Sequence, residues 1–268
     1  MPYLYGIDSA QLAWNQVITA AELAQIDFHI CRIGSNGYVD MGSSSWYNKP
    51  FTPDAYCHAN IQATQAAGKP MGVYFFSYAW NAAGAIHEAN LICDTLDTWG
   101  VSLELPIFLD WESTGRDPNT HIGYGSYEKY QDTFGQTIPT ATLQTIFTSF
   151  YNRCQQRGRR AGMYFNGWFY NSLLSSSWIN AQRSSGNYWW MAYWTGGSTP
   201  PYDCDVWQYL GEQYYIGNIT TTYRVDQNYL INPNVISGGG GGSSNIPIWL
   251  KIYLAKRGDQ NGKCTVLL

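Results

Sequence analysis

Short apolar segments alternate along the chain with longer segments in which apolar residues recur at helical spacing. The short segments predict strands and the longer ones predict crossover helices, an alternation typical of a parallel sheet. Eight strand candidates of this kind indicate a barrel. They cover residues 3–8, 28–34, 72–78, 106–112, 161–166, 188–194, 205–209 and 223–227.

Four helices are predicted between the strands, at residues 20–25, 53–67, 82–99 and 140–157. Gly68 and Gly158 follow the second and fourth of them, where a glycine suits a left-handed C-cap. After residue 161 the pattern predicts loops, such as residues 195–201, and helices that are short or absent. The predicted fold class is therefore α/β, an irregular TIM-like (β/α) barrel with eight strands and reduced helices in its C-terminal half.

A glycine-rich segment divides the chain. Residues 237–244 read SGGGGGSS, the composition of a flexible linker, so residues 1–236 are predicted to form the barrel domain. Two apolar runs flank KRGDQNGK in residues 245–268, a pattern that predicts a short β-hairpin. So short a tail cannot bury a core of its own. It is expected to dock on the barrel, to associate with another copy, to begin a further module or to remain weakly ordered.

Composition excludes several classes of protein. Only 13% of the 268 residues are charged and the net charge is -4 without a basic cluster, which argues against nucleic-acid binding. No apolar run is long enough to span a membrane, and the N-terminus lacks the pattern of a signal peptide. The six cysteines and four histidines show no ligand spacing, so free thiols, no metal site and no cofactor are expected.

Acidic residues stand where strands end. The stretch LPIFLDWEST places Asp110 and Glu112 two residues apart after an apolar run, so their side chains should face the same side of a strand. Asp8 ends the first predicted strand and Asp226 lies in the last. The first and last strands of a closed barrel are neighbours, so these four carboxyl groups are expected to converge at the mouth of the barrel.

Such a cluster has a definite chemistry. Neighbouring carboxylates repel one another, which raises the pKa of at least one and keeps it protonated near neutral pH. One protonated and one ionised carboxyl group are what cleavage of a glycosidic bond requires. The residues therefore predict a glycosidase. A pair of solvated loop acids or helix caps is the alternative for a single DxE sequence.

Eight motifs in order resemble glycoside hydrolase family 25, the Chalaropsis-type lysozymes of bacterial autolysins and phage endolysins. They are GIDSAQ (6–11), ICRIGSNG (30–37), GKPMGVYFFSYA (68–79), LPIFLDWE (105–112), RAGMYFNGWFY (160–170), WWMAYW (189–194), DVWQY (205–209) and VDQNY (225–229). The resemblance covers about residues 3–232, although the family often begins with GIDVS where this chain has GIDSA.

This resemblance implies an irregular β/α barrel that hydrolyses the β-1,4 bond between N-acetylmuramic acid and N-acetylglucosamine in peptidoglycan. Glu112 matches the general acid. Asp110 matches the acid that stabilises charge or orients the 2-acetamido group of the substrate, and Asp8 and Asp226 match supporting acids. The family is expected to retain the anomeric configuration, with the acetamido oxygen as internal nucleophile or by a water attack, and the sequence leaves both routes open.

Six further residues are predicted to bind the substrate. Arg32 matches the family's Arg of the second strand region and would tune the acids, with a structural ion pair as the alternative. The other five lie on inward or strand-end positions and would line the sugar subsites, unless they belong to the core. They are Tyr74, Tyr164, Trp190, Tyr193 and Gln208.

Two other functions are alternatives to a lysozyme. A chitinase-like or endo-N-acetylglucosaminidase barrel also uses DxE acids, but apolar residues precede Asp110 where further acids would be expected. A non-catalytic carbohydrate-binding barrel would typically have lost Asp110 or Glu112. Without a signal peptide, the expected setting is a phage endolysin made in the cytoplasm that acts on the bacterial cell wall after release or export, with peptidoglycan as its partner.

Overall fold

The computed structural model describes residues 3–10, 16–35, 51–114, 125–194 and 198–236. Its centre is a closed barrel in which eight strands follow one another in chain order. The strands are β1 (Leu4–Ser9), β2 (Phe28–Ser35), β3 (Met71–Phe76), β4 (Ile107–Asp110), β5 (Ala161–Asn166), β6 (Tyr188–Ala192), β7 (Val206–Ile216) and β8 (Ile219–Leu230). The eight-stranded α/β barrel predicted from the sequence is thus confirmed.

Seven α-helices lie between the strands in the described ranges. Gly68 and Gly158 have φ of 69° and 70° just beyond α2 and α5, as predicted for left-handed helix ends. The helices are α1 (Ala20–Leu23), α2 (Cys57–Ala66), α3 (Ala82–Thr98), α4 (Ser126–Phe134), α5 (Thr140–Gln156), α6 (Gly167–Ser172) and α7 (Ser176–Ser184), and a 3-10 helix covers Pro233–Val235.

Side chains that alternate along each strand fill two separate apolar layers. The barrel interior holds Phe28, Phe108 and Trp190, all buried. Gly6 and Gly162 make room for these rings, since a Cβ atom at either position would lie 2.6 Å from Phe28 or Phe108. The opposite faces of the strands form a larger layer with the inner sides of α3 and α5.

Two sequence-based expectations about the second half of the chain are wrong. The sheet is not all parallel, because β8 pairs antiparallel with both β7 and β1. β7 and β8 also extend well beyond the predicted residues 205–209 and 223–227 as one long hairpin. The two helices between β5 and β6, α6 and α7, are short, as predicted for this half of the chain, whereas α4 was not predicted.

Several smaller predictions can also be compared with the structure. Cys31, Cys57, Cys93, Cys154 and Cys204 are buried free thiols, as expected. None of the helices in the described ranges has the length and apolar character needed to cross a membrane. The Gly/Ser linker (237–244), the predicted hairpin tail (245–268) and its proposed self-association lie outside the described residues, so these remain predictions.

Candidate active site

Four acidic side chains meet at the carboxyl end of the barrel strands. Asp8 on β1 stands directly opposite Asp226 on β8, and Asp110 is the last residue of β4 with Glu112 just beyond it. Asp8 interacts electrostatically with Asp226 and Glu112, and Asp110 with Glu112 and Asp8. The structure therefore brings together all four carboxylates predicted from distant parts of the sequence.

Two amide side chains hold the Asp8 and Asp226 carboxylates in place. The Nε2 atom of Gln208 donates to Oδ2 of Asp8 at 2.9 Å and to Oδ2 of Asp226 at 3.3 Å. The Nδ2 atom of Asn228 donates to the same oxygen of Asp8 at 2.8 Å. Gln208 is oriented in turn by the Tyr164 hydroxyl, which donates to its Oε1 atom at 2.9 Å. Buried amides thus fix the direction of both carboxylates.

The loop after β4 is fixed by its neighbours. Trp111 points away from the barrel axis and donates from Nε1 to the carbonyl oxygen of Ala79 at 2.8 Å, which turns Asp110 and Glu112 inward. The amide of Tyr127, in the first turn of α4, donates to the Glu112 carbonyl oxygen at 3.1 Å. Gly125 permits this approach, because a Cβ atom there would clash with that same oxygen. The backbone that carries Glu112 is therefore clamped by α4.

The surroundings of Glu112 and Asp226 give these two acids different pKa values. Burial, followed by the negative charges of Asp226 and Glu128, raises the pKa of Glu112 from 4.5 to about 8. Burial raises the pKa of Asp226 from 3.8 to about 6, and the main-chain amide of Glu212 opposes that rise by donating to its carboxylate. At neutral pH the cleft therefore holds a protonated Glu112 beside an ionised Asp226.

Asp8 and Asp110 lie deeper than these two acids. Burial raises the pKa of both carboxyl groups, with Asp226 adding to the effect at Asp8 and Glu112 adding to it at Asp110. The Oδ1 atom of Asp110 is buried and has no hydrogen-bond partner among the described residues. A buried acceptor without a partner is costly, so this oxygen is suited to receive a donor from a bound molecule.

Two cavities meet at the carboxylates, and Asp226 and Glu212 line both of them. The larger cavity, of about 590 Å³, lies on the Glu112 side and is walled by Tyr164, Trp168, Tyr193 and Trp194, among others. The second cavity, of about 460 Å³, lies on the Asp8 side and includes Tyr74, Tyr214 and Arg224. A linear ligand could cross from one cavity to the other over the acids.

The six predicted substrate-binding residues occupy different depths. Tyr74, Tyr164 and Tyr193 line the cavities. Gln208 and Trp190 are almost completely buried, with 2% and 1% of their surface exposed. The Trp190 ring packs edge-on against Tyr74 and Tyr164, and its Nε1 atom donates to Asn228 at 2.8 Å. Both residues therefore support the site from below.

Arg32 combines the two roles that the sequence left open. Its Nε atom pairs with Oδ2 of Asp54 at 2.7 Å, in a largely buried ion pair. Its positive charge also opposes the rise in the pKa of Asp110 caused by burial, Glu112 and Asp8. The structure therefore places Arg32 as a fixed charge at the edge of the acid cluster.

Sequence reasoning missed several residues of this site. Trp168 and Trp194 are exposed and wall the larger cavity, Asn228 holds Asp8, and Glu212 contacts Asp226 through its main chain. Asn228 lies in the quoted VDQNY motif, two residues after Asp226 on the same strand, so period-two spacing already placed it on the same face. The main-chain role of Glu212 has no sequence signal.

Within the described ranges, the polar groups outside the cleft form no second centre of the same kind. Among the described residues, no cluster of His, Cys, Asp and Glu has the geometry of a metal site. A cavity of about 260 Å³ at the opposite end of the barrel contains Arg157, Arg159 and Arg160. Arg157 and Arg159 bind Asp97, and Arg160 binds main-chain carbonyl oxygens, so these arginines join the helices to the barrel.

Comparisons with known proteins agree with this architecture. The barrel is similar to the modular autolysin LytC from Streptococcus pneumoniae, with a TM-score of 0.61 and 20% identity over 84% of this chain and 46% of that chain. It is also similar to the CTP1L endolysin (TM-score 0.57, 18% identity, 87% of this chain and 69% of that chain) and to a bacterial lysozyme from Streptomyces coelicolor (TM-score 0.56, 18% identity, 86% and 93%).

The chain spans about half the length of LytC, which is a longer modular protein. A search of curated protein sequences finds no match to the chain. A family model described as Glycosyl hydrolases family 25 matches residues 50–218, which is more than half of the sequence. With the four converging acids and the barrel that carries them, this match shows that the chain belongs to glycosyl hydrolases family 25.

Proposed function

We propose that this glycoside hydrolase is a lysozyme that cleaves the β-1,4 bond between N-acetylmuramic acid and N-acetylglucosamine in bacterial peptidoglycan. Membership of family 25 supports hydrolysis of a glycosidic bond. LytC, whose barrel is similar at 19–20% identity, is an autolysin that has been crystallised with a synthetic peptidoglycan ligand. The same class of polymer is the proposed partner of this chain.

The observation that carries the proposal is the meeting of Glu112 and Asp226 in one cleft, where their surroundings raise the pKa of Glu112 to about 8 and that of Asp226 to about 6. Glu112 holds a proton at neutral pH and is positioned to deliver it to the leaving oxygen as the glycosidic bond breaks. Ionised Asp226 supplies the negative charge that favours an oxocarbenium-like transition state. Water then adds to the anomeric carbon, and Glu112 recovers its proton.

The deeper acids have supporting roles in this scheme. The Oδ1 atom of Asp110, which lacks a partner in the described structure, would accept the N–H of a 2-acetamido group and so orient that sugar. Asp8 is held by Gln208 and Asn228 and forms part of the floor of the cleft beneath the sugar ring. A substrate without the acetamido group would leave the Asp110 oxygen unpaired, which favours N-acetylated sugars.

The shape of the cleft suits a chain that is cut internally. Sugar rings would stack on Trp168, Tyr193 and Trp194 in the larger cavity, because aromatic faces pack well against the apolar faces of sugars. The glycan would continue past Glu112 and Asp226 into the cavity that contains Tyr74 and Arg224. Cleavage would take place where the two cavities meet.

End-group analysis of digested Gram-positive cell walls tests this proposal. Release of fragments with reducing N-acetylmuramic acid ends is expected, because the scissile bond follows that sugar. Reducing N-acetylglucosamine ends would instead assign the protein to the endo-N-acetylglucosaminidases, and no release of fragments would contradict catalysis altogether. The Glu112→Gln variant should lose the activity, since it keeps the shape of the side chain without the titratable proton.

The matched control removes an acid far from the cleft. Asp94 lies on α3, is 65% exposed and pairs with Arg157 at 2.8 Å. Asp94→Asn makes the same chemical change as Glu112→Gln, from carboxylate to amide, in a surface pair that contributes little to stability. It should digest walls at the wild-type rate. A loss of activity in both variants would show that the assay responds to general damage and not to the loss of the acid.

A further inference from the structure

β7 contains a bulge directly opposite Asp226. Between two paired positions β7 advances by three residues, from Leu210 to Gln213, while β8 advances by two, from Gln227 to Val225. Gly211 and Glu212 of β7 therefore stand across from the single residue Asp226 of β8. A bulge of this kind leaves one residue outside the regular ladder and redirects its polar groups.

The main chain of the bulge points at the carboxylate. Glu212 has φ of 54°, the one positive φ of a residue other than glycine in the described part of the chain. Its amide donates to Oδ1 of Asp226 at 2.6 Å. Gln208, four residues earlier on the same strand, donates to Oδ2 of that carboxylate at 3.3 Å. Each oxygen of Asp226 is thus held by a donor from β7.

We propose that Glu212 is a positioning residue for Asp226, and that it acts through its left-handed main chain and not through its side chain. A left-handed conformation is unfavourable for a residue with a Cβ atom, and such strain persists where the surrounding structure enforces it. Here the Trp194 ring packs against Gly211, the residue before Glu212, where a Cβ atom would be 2.6 Å from the ring.

Trp194 links the bulge to the rest of the site. Its Nε1 atom donates to Oε1 of Gln208 at 3.0 Å, so one exposed ring packs on the bulge and orients the amide that holds Asp226. The carboxylate of Glu212 points elsewhere, to an exposed ion pair with Arg224 at 2.8 Å. Main chain and side chain of Glu212 therefore affect Asp226 differently. The amide stabilises the ionised carboxylate, whereas the Glu212 charge opposes it.

Three uncharged substitutions separate these effects. Glu212→Gln removes the charge and keeps a long side chain, Glu212→Gly removes the charge and favours a positive φ, and Glu212→Val removes the charge and strongly disfavours a positive φ. The other groups facing Asp226 are the same in all three variants. They are Asp8 from β1, Tyr74 from β3, Glu112 after β4 and Tyr164 from β5. Arg224 of β8 pairs with the Glu212 side chain itself, and this pair is absent from all three variants.

The primary measurement is the titration of Asp226 by carbon NMR in protein labelled at the aspartate carboxyl carbon, with the signal assigned by its loss in Asp226→Asn. Relative to wild type, Glu212→Gln and Glu212→Gly should titrate at lower pH, because a like charge is gone. Glu212→Val should titrate about one pH unit above them, because the hydrogen bond from the amide to a charged group is lost. Equal titration of the Val and Gln variants would overturn the proposal.

The wall-digestion rate provides a second comparison, and this one rests on the proposed function. Glu212→Val should lower kcat about ten-fold or more relative to Glu212→Gly and move the acidic limb of its pH profile upward. Should Glu212→Val fail to fold, Glu212→Ala gives the same comparison with a smaller backbone preference. The NMR titration needs no cleavage, so failure of the lysozyme assignment and failure of the positioning role give different results.

Discussion

Replacing Glu112 with glutamine should stabilise the fold while it abolishes activity. Burial, Asp226 and Glu128 raise the pKa of Glu112 from 4.5 to about 8 in the folded protein. Between these two values the folded chain keeps a proton that the unfolded chain releases. Stability is therefore full below pH 4.5 and is lost as the pH rises towards 8. Glutamine does not ionise, so the variant escapes this loss.

The size of the effect follows from the pKa shift. Each pH unit above 4.5 lowers the free energy of unfolding of the wild type by up to about 1.4 kcal/mol until the folded pKa is reached. Glu112 is partly exposed, and solvent screening reduces this figure. On the order of 1–2 kcal/mol at pH 7 is expected, which corresponds to a rise in Tm of about 2–8 °C for a domain of this size.

Thermal unfolding of wild type and Glu112→Gln at pH 4.5 and pH 7 measures this difference. The gain in Tm should be present at pH 7 and close to zero at pH 4.5. Asp97→Asn is a control of opposite sign, because hydrogen bonds from Arg159 and Arg157 lower the pKa of Asp97. That variant should lose stability at pH 7, and its deficit should vanish as the pH falls. A Glu112→Gln variant that is less stable than wild type at pH 7 would refute the reasoning.

Further predictions concern the rate of wall digestion. The pKa of Asp226 is about 6 and that of Glu112 is about 8, so the rate of wall digestion should have a bell-shaped pH profile with a maximum near pH 7. A rate that stays constant from pH 5 to 9 would contradict the roles assigned to these two acids. Gln208→Ala should lower kcat about ten-fold or more. It should also raise the pKa of Asp8, because that carboxyl group loses a hydrogen-bond donor. An unchanged kcat would show that Gln208 does not position the acids. Trp194→Ala and Trp168→Ala should raise KM several-fold, whereas Phe134→Ala, exposed on α4, should not. Trp194→Ala should also lower kcat, because its ring orients Gln208.

The sequence predicted the first six strands well because a parallel sheet is buried on both faces. Their apolar runs are short and continuous, and the predicted bounds 161–166 coincide with β5. The last two strands were predicted too short, because their outer halves are exposed and polar. One signal was available: Gly217 and Asn218 form a two-residue turn between the strands, with Gly217 at φ of 55°, and a Gly-Asn pair is typical of a hairpin.

The acids of the site were also predictable, since each follows an apolar run and carboxylates at strand ends meet at one mouth of a barrel. The residues that hold these acids in place could not be predicted. Gln208 was expected to face the substrate, yet it is buried and bridges Asp8 and Asp226. The bulge at Glu212 depends on the register in which β7 pairs with β8. The sequence of one strand does not reveal how that strand is paired with its neighbour.

The residues around the four acids influence which of them is protonated during catalysis. Glu112 and Asp226 are both carboxylic acids in one cleft, so residue type alone would give them similar pKa values. Burial raises the pKa of both acids; at Glu112 the charges of Asp226 and Glu128 add to this rise, whereas at Asp226 a main-chain amide opposes it. The elements around the motif, α4 on one side and the β7 bulge on the other, thus add to the difference between the protonated and the ionised carboxyl group. A barrel that kept all four acids but paired β7 and β8 without the bulge would therefore have a smaller difference between the pKa values of Glu112 and Asp226, and it would cleave more slowly.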